Sequence, residues 1–300
     1  MAGASVEATL ELWASSPRAV KARTRPLFTR ERVAASAGQL LDGLLGEARR
    51  KTGWTRAEAA GDPGPWRRQA ILGRGRWSAD DLRDIVRDYA LETLADDDAV
   101  LAIDETGFLK QGQAACGVGR QHTGPAGKIT NCQIGVFACH VPRRGHAFIG
   151  RALCPPKAWT DDPARMKAAH VPAETRFATK PALAGAMIER ALAAKTPFGW
   201  VAADSVYGVG SLETTPRRAG KGYVLGVSSD HGVKSGANRG GFRDRPERSR
   251  KTCRRLTGRA FRPAREPRAR ASMTGLISNW PALTPRTMTP AVPAYGRAAR

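Results

Sequence analysis

The sequence predicts an α/β fold: a mixed sheet with helices on its faces, preceded by a small helical region. Three observations point to it. Apolar residues recur at three- and four-residue steps in the first 97 residues, the mark of amphipathic helices. From residue 98, short apolar runs bounded by turn residues surround one strongly helical stretch. Two of these runs, VLAIDETGFLK around Asp104 and FGWVAADSVYG around Asp204, share one plan: an apolar strand that ends in an aspartate and then turns.

In the region 1–97, Val33, Leu40, Leu41, Leu44 and Leu45 form one helical stripe. Thr55 to Glu58 reads as a capping box. The segment DPGPWRR is a break, with Trp66 packing back, and a longer helix follows Ser78 with Leu82, Ile85, Val86 and Tyr89 on its apolar side. Arg67, Arg68, Arg74 and Arg76 cluster between helices. They read either as a DNA-contacting loop or as a solvated arginine loop on a helical cap.

The region 98–230 reads as strands at 99–103, 115–119, 132–140 and 146–153, then a helix at 181–194, a strand at 198–203, a short helix at 211–218 and a strand at 223–227. The helix has Leu183, Met187, Ile188, Ala191 and Leu192 on its inner face. A mixed sheet covered by helices buries these elements most simply. This is the element order of a ribonuclease-H-like core, in which the strands of Asp104 and Asp204 are neighbours. The region 231–300 has 15 arginines and seven prolines and no sustained periodicity, so it reads as a disordered basic tail or as an arm that orders on nucleic acid.

Lys and Arg number 49 against 27 Asp and Glu, a formal charge of +22. This excess predicts a polyanionic partner, most simply DNA or RNA, although an acidic membrane surface also satisfies it. The tail carries 17 basic and 3 acidic groups, and so supplies most of the asymmetry. No apolar run approaches the roughly 20 residues of a bilayer span. The start MAGASVEATLELW lacks a secretory core, which sets the expectation of a cytoplasmic protein without membrane attachment. Cys116, Cys132, Cys139, Cys154 and Cys253 are odd in number and fit reduced thiols. Cys132, Cys139, His140, His146 and Cys154 lack the close pairs of a zinc site, and Cys132 and Cys139 read as buried fillers.

Carboxylates at the ends of neighbouring strands suit Mg²⁺ or Mn²⁺, and a pair of them in a basic chain suits metal-dependent chemistry on a nucleic-acid backbone. Asp104 and Asp204 are therefore the candidate catalytic and metal-binding residues. Glu105 reads as a supporting or turn residue, because strand alternation turns it away from Asp104. Lys110, Arg120, His122 and Lys128 flank the Gly-rich stretch GVGRQHTGPAGK and are candidate phosphate contacts. GPAGK falls short of a nucleotide-binding P-loop.

The segments IDETGFLKQG, GVGRQHTGPAGKITNCQIGVF, LCPPKAWTDDPAR, FATKPALAGAMIERALA, WVAADSVYG and GYVLGV resemble, in order, a bacterial insertion-sequence transposase of the DDE superfamily. The resemblance covers residues 27–230. It implies a ribonuclease-H-like core that hydrolyses double-stranded DNA at element ends and joins the freed 3′ end to target DNA. It also implies Mg²⁺ or Mn²⁺ held by two Asp and one Glu, a nucleoid-associated location when DNA is bound, and a homodimer in the DNA complex. By motif match, Asp104 is the first acid and Asp204 the second. Ser205 stands where the family commonly has an acid. The third acid has no match: Glu213 is too near Asp204, and Glu247 and Glu266 sit among Arg and Pro. These features set the expectation of a homologue truncated or frameshifted after residue 230 and impaired in strand transfer. The competing expectations are a noncatalytic DNA-binding remnant and a nuclease acting on RNA–DNA hybrids.

Overall fold

A computed structural model describes residues 5–227 and two dipeptide strands beyond them. The helical region contains α1 (Val6–Thr24), α2 (Glu31–Leu45), α3 (Gly53–Ala59), α4 (Trp66–Gly73) and α5 (Ala79–Leu94). The capping box of α3 lies three residues earlier than the sequence suggests. Thr52 is the N-cap, its hydroxyl accepts the Thr55 N–H, and the Thr55 hydroxyl accepts the Thr52 N–H in return. Ser78 caps α5 as expected. The α2 stripe is only partly inward: Leu40 is buried, whereas Leu44 and Leu45 are exposed. Trp66 is also exposed, and meets Trp54 edge-on at 6.3 Å.

The core is one mixed sheet built from β1 (Val100–Leu109), β2 (Gly119–Thr123), β3 (Lys128–Val141), β4 (Ala147–Leu153), β5 (Trp200–Ala203) and β6 (Gly222–Leu225). The strands run in the order β2-β3-β1-β5-β6, with β4 also paired to β3. β1 to β4 are antiparallel, and β5 and β6 lie parallel to β1. This is the ribonuclease-H-like α/β fold. The second strand is displaced from 115–119 to 119–123, where half-buried Gln121 and buried Thr123 turn polar side chains inward and so disguise a strand as a loop. Gln121 Nε2 donates to the Cys132 carbonyl at 3.3 Å, and Thr123 is buried against β1.

Three helices come between β4 and β5: α6 (Lys157–Thr160), α7 (Pro163–Ala168) and α8 (Lys180–Ala193). A ninth, α9 (Gly210–Arg218), joins β5 to β6. Trp159 anchors the α6–α7 excursion in a small second core with Val118 and Met166, and its Nε1 donates to the Val118 carbonyl at 2.7 Å. Two further strands, β7 (Val233–Lys234) and β8 (Arg243–Asp244), pair with each other. The remainder of the basic tail, with its expected disorder, lies outside the described residues.

Alternation gives the sheet two unlike faces. Leu101 and Ile103 of β1, Ile134, Val136 and Ala138 of β3 and Val201 of β5 pack with Met187, Ile188 and Ala191 of α8. The opposite face carries Asp104 and Phe108 of β1, Phe137 of β3, Phe148 of β4, Trp200 of β5 and Val224 of β6. Phe108, Phe148, Trp200 and Val224 are exposed, so among the described residues this is the open face.

Ile188→Ala should lower stability by about 2–5 kcal/mol in chemical denaturation, because it opens a cavity in the sheet–α8 core. Leu45→Ala, at an exposed position, should change it by no more than about 0.5 kcal/mol.

A second prediction concerns Asp96, between α5 and β1. Its carboxylate takes the Arg143 guanidinium at 3.0 Å and the Arg143 N–H at 3.2 Å, and these bonds hold it below the usual carboxylate range. A lowered folded pKa contributes stability that is present above the unfolded pKa and is lost as pH falls through the folded one. The gap in denaturation midpoint between wild type and Asp96→Asn should therefore be largest near neutrality and close in strong acid.

Candidate active site

The site begins with the β1–β5 ladder. Ile103 pairs with Ala203, the last residue of β5, so Asp104 and Asp204 each sit one step beyond it on neighbouring parallel strands. The sequence expectation that the two aspartates come together holds in this register. Its expected cause does not. Asp104 lies in the middle of β1, which continues to Leu109 because β3 stays paired alongside it. It is β5, not β1, that stops at the aspartates.

Asp104 is 8% exposed, although it lies on the open face. Phe137 is its cross-strand partner, and its Oδ1 accepts the Glu105 N–H at 2.8 Å. Asp204 is half-buried and shapes its own turn: Oδ1 accepts the Val206 N–H at 2.9 Å, and its carbonyl accepts the Tyr207 N–H at 3.1 Å. Gly226, just after β6, closes on this turn. A Cβ at Gly226 would lie 2.7 Å from the Ser205 nitrogen, so no larger residue fits without displacing the backbone.

Glu105 points to the α8 face, as alternation requires. Both of its oxygens are engaged: Lys180 Nζ donates to Oε1 at 2.6 Å and the Tyr207 hydroxyl to Oε2 at 2.7 Å. Tyr207 is fully buried. Burial, the Glu105 bond and the charges of Glu105, Asp104 and Asp204 push its phenol far above the usual range, so it stays a donor. Sequence reasoning passed over Lys180 and Tyr207. The available signal for Lys180 was a lysine in the first turn of a helix, where the helix dipole disfavours a cation.

The other candidates scatter. Arg120 and His122 of β2 are exposed, and their register against Asn131 and Ile129 puts them on the Asp104 face. Lys110 is exposed just past β1. Lys128 is exposed at the start of β3, where alternation assigns it to the other face. Arg67, Arg74 and Arg76 are exposed in the helical region. Arg68 is not a surface residue: it is 1% exposed and holds Asp62 Oδ2 at 2.8 Å, a buried pair that fixes α4, so it is withdrawn as a DNA contact.

Cys132 and Cys139 are buried fillers, and burial pushes the Cys139 thiol up to about 11. His140 is buried, with Nε2 at 2.9 Å from the Leu94 carbonyl. Glu213 is occupied by Arg217 and Tyr223 at 3.3 Å each. Among the described residues no three His, Cys, Asp or Glu side chains gather into a metal-binding group, and Glu247 and Glu266 lie outside them. No helix among the described residues is long and apolar enough to cross a membrane.

No curated protein matches the chain. The family model described as DDE superfamily endonuclease matches residues 24–288, past the point where the motif resemblance stops. Its match over most of the length, together with paired aspartates on adjacent strands of a ribonuclease-H-like sheet, places the chain in the DDE superfamily of DNA-acting endonucleases and transposases.

Proposed function

We propose that the chain is a DDE-type transposase or endonuclease acting on insertion-sequence ends in the bacterial cytoplasm, with Asp104 and Asp204 holding Mg²⁺ or Mn²⁺. The observation that carries this reading is the register of β1 and β5, whose ladder ends at Ile103–Ala203, one residue before each aspartate. The donor set fits: carboxylate oxygens on a partly buried site suit hard divalent cations. When bound, such a cation would stabilise negative charge on the scissile phosphodiester as a Lewis acid. Asp104, fixed in the middle of a long strand, and Asp204, fixed by its own turn, would hold it from two sides. Arg120, His122 and Lys110 would take backbone phosphates and set the register of double-stranded DNA across the face. The exposed arginines of the helical region would hold the flanking duplex, and a homodimer would bring two element ends together.

The test is cleavage of DNA carrying the element's terminal repeats, with Mg²⁺, with Mn²⁺ and with chelator. Asp104→Asn and Asp204→Asn should each reduce metal-dependent cleavage about a hundredfold or more, the scale of losing a transition-state electrostatic contact. Wild-type rates in either variant would overturn the assignment.

One observation favours a second reading, a noncatalytic remnant that binds element ends: among the described residues no three His, Cys, Asp or Glu side chains gather into a group that could hold a metal. That reading predicts metal-independent binding of terminal repeats with no cleavage. The coding DNA near codon 230 bears on the cause. If the segment beyond is out of frame, another frame should encode a patterned helix bearing a Glu. Its absence from both other frames would reject that cause.

A further inference from the structure

We propose that Glu105, Lys180 and Tyr207 form a brace on the far face of the sheet that fixes the spacing and charge of the Asp104–Asp204 pair. None of the three would touch DNA or a cation, so they are positioning residues. The inference rests on the two-aspartate reading above and adds to it how the pair is held.

The connectivity makes the case. Asp104 and Glu105 are consecutive on β1 and point to opposite faces. Tyr207 follows Asp204 by three residues, and the turn between them wraps round the end of β5, from the open face to the core beneath α8. The Tyr207 hydroxyl then bonds Glu105 at 2.7 Å. The result is a circuit of Asp104, Glu105, Tyr207, the turn and Asp204, closed through the Ile103–Ala203 strand pair. The β1–β5 ladder ends at Ile103–Ala203, one residue before the two aspartates. The Glu105–Tyr207 bond ties β1 to the Asp204 turn from behind, past the end of the ladder. The turn has little slack, since Gly226 N–H bonds the Ala203 carbonyl at 2.9 Å and a Cβ on Gly208 would lie 2.0 Å from the Gly226 oxygen.

Lys180 completes the brace. Its ammonium sits at the first residue of α8, where the helix dipole opposes it, and the ion pair with Glu105 at 2.6 Å offsets that cost. Glu105 would otherwise add a third negative charge beside Asp104 and Asp204. With both oxygens occupied, it does not compete for a cation.

The experiment compares wild type, Tyr207→Phe, Lys180→Met, Lys180→Arg and Asp104→Asn on the full chain. Amide hydrogen exchange reads the turn without any metal. Tyr207→Phe should speed exchange at the amides of positions 206 and 207 at least tenfold while the β1 and β3 amides keep wild-type protection. Thermal stability against Mn²⁺ concentration reads the pair. Tyr207→Phe and Lys180→Met should need about tenfold more Mn²⁺ for the same shift, and Lys180→Arg should restore most of the loss. Unchanged exchange in the turn with an unchanged Mn²⁺ requirement in Tyr207→Phe would overturn the brace. A Mn²⁺ response in Asp104→Asn equal to wild type would overturn the two-aspartate reading instead, while the exchange result still decides whether the brace holds the turn.

Discussion

The parallel pairing of β1 with β5 is the constraint on which the rest depends. It sets Ile103 opposite Ala203 and so delivers two carboxylates to adjacent positions at the end of the ladder. Like charges on neighbouring strands repel, and as a scale two unit charges about 4 Å apart cost roughly 1–4 kcal/mol between bulk-water and near-surface dielectric. One slip in register would move one of the aspartates to the other face. Both neighbours of the ladder resist that slip. On one side β3 pairs with β1 along its whole length, and on the other β6 pairs with β5 residue for residue.

The two faces of the sheet divide the work. The α8 face is apolar and closed, and it takes the hydrophobic burial that holds the fold. The open face carries the carboxylates, with aromatic side chains around them and two basic residues of β2 at its far side. In a chain of charge +22, a small acidic centre on the same sheet face as basic side chains is suited to a polyanion approached by its backbone, with the acids reserved for a cation.

Much of this was legible in the sequence. The helical region and the sheet with its covering helix followed from periodicity, and the neighbouring strands of Asp104 and Asp204 from the ribonuclease-H-like order of the elements, because periodicity alone does not fix strand order. What escaped did so for physical reasons. The run of β1 past Asp104 is polar and glycine-containing, and only its pairing with β3 makes it a strand. β2 hides Gln121 and Thr123 inside and shows Arg120 and His122 outside, so it reads as loop. Arg68 resembled its exposed neighbours until its pairing with Asp62, six residues earlier, placed it in the interior. Glu105 was correctly turned away from Asp104, but its partners lie 75 and 102 residues distant, beyond any local pattern.

The central claim is that Asp104 and Asp204 act as one divalent-cation site, and calorimetric titration of Mn²⁺ into wild type, Asp104→Asn, Asp204→Asn and the double variant tests it most directly. A shared site predicts that either single substitution abolishes as much binding as the double one. Losses that simply add, with each single variant retaining half of the wild-type binding free energy, would mean two independent carboxylates and would contradict the account.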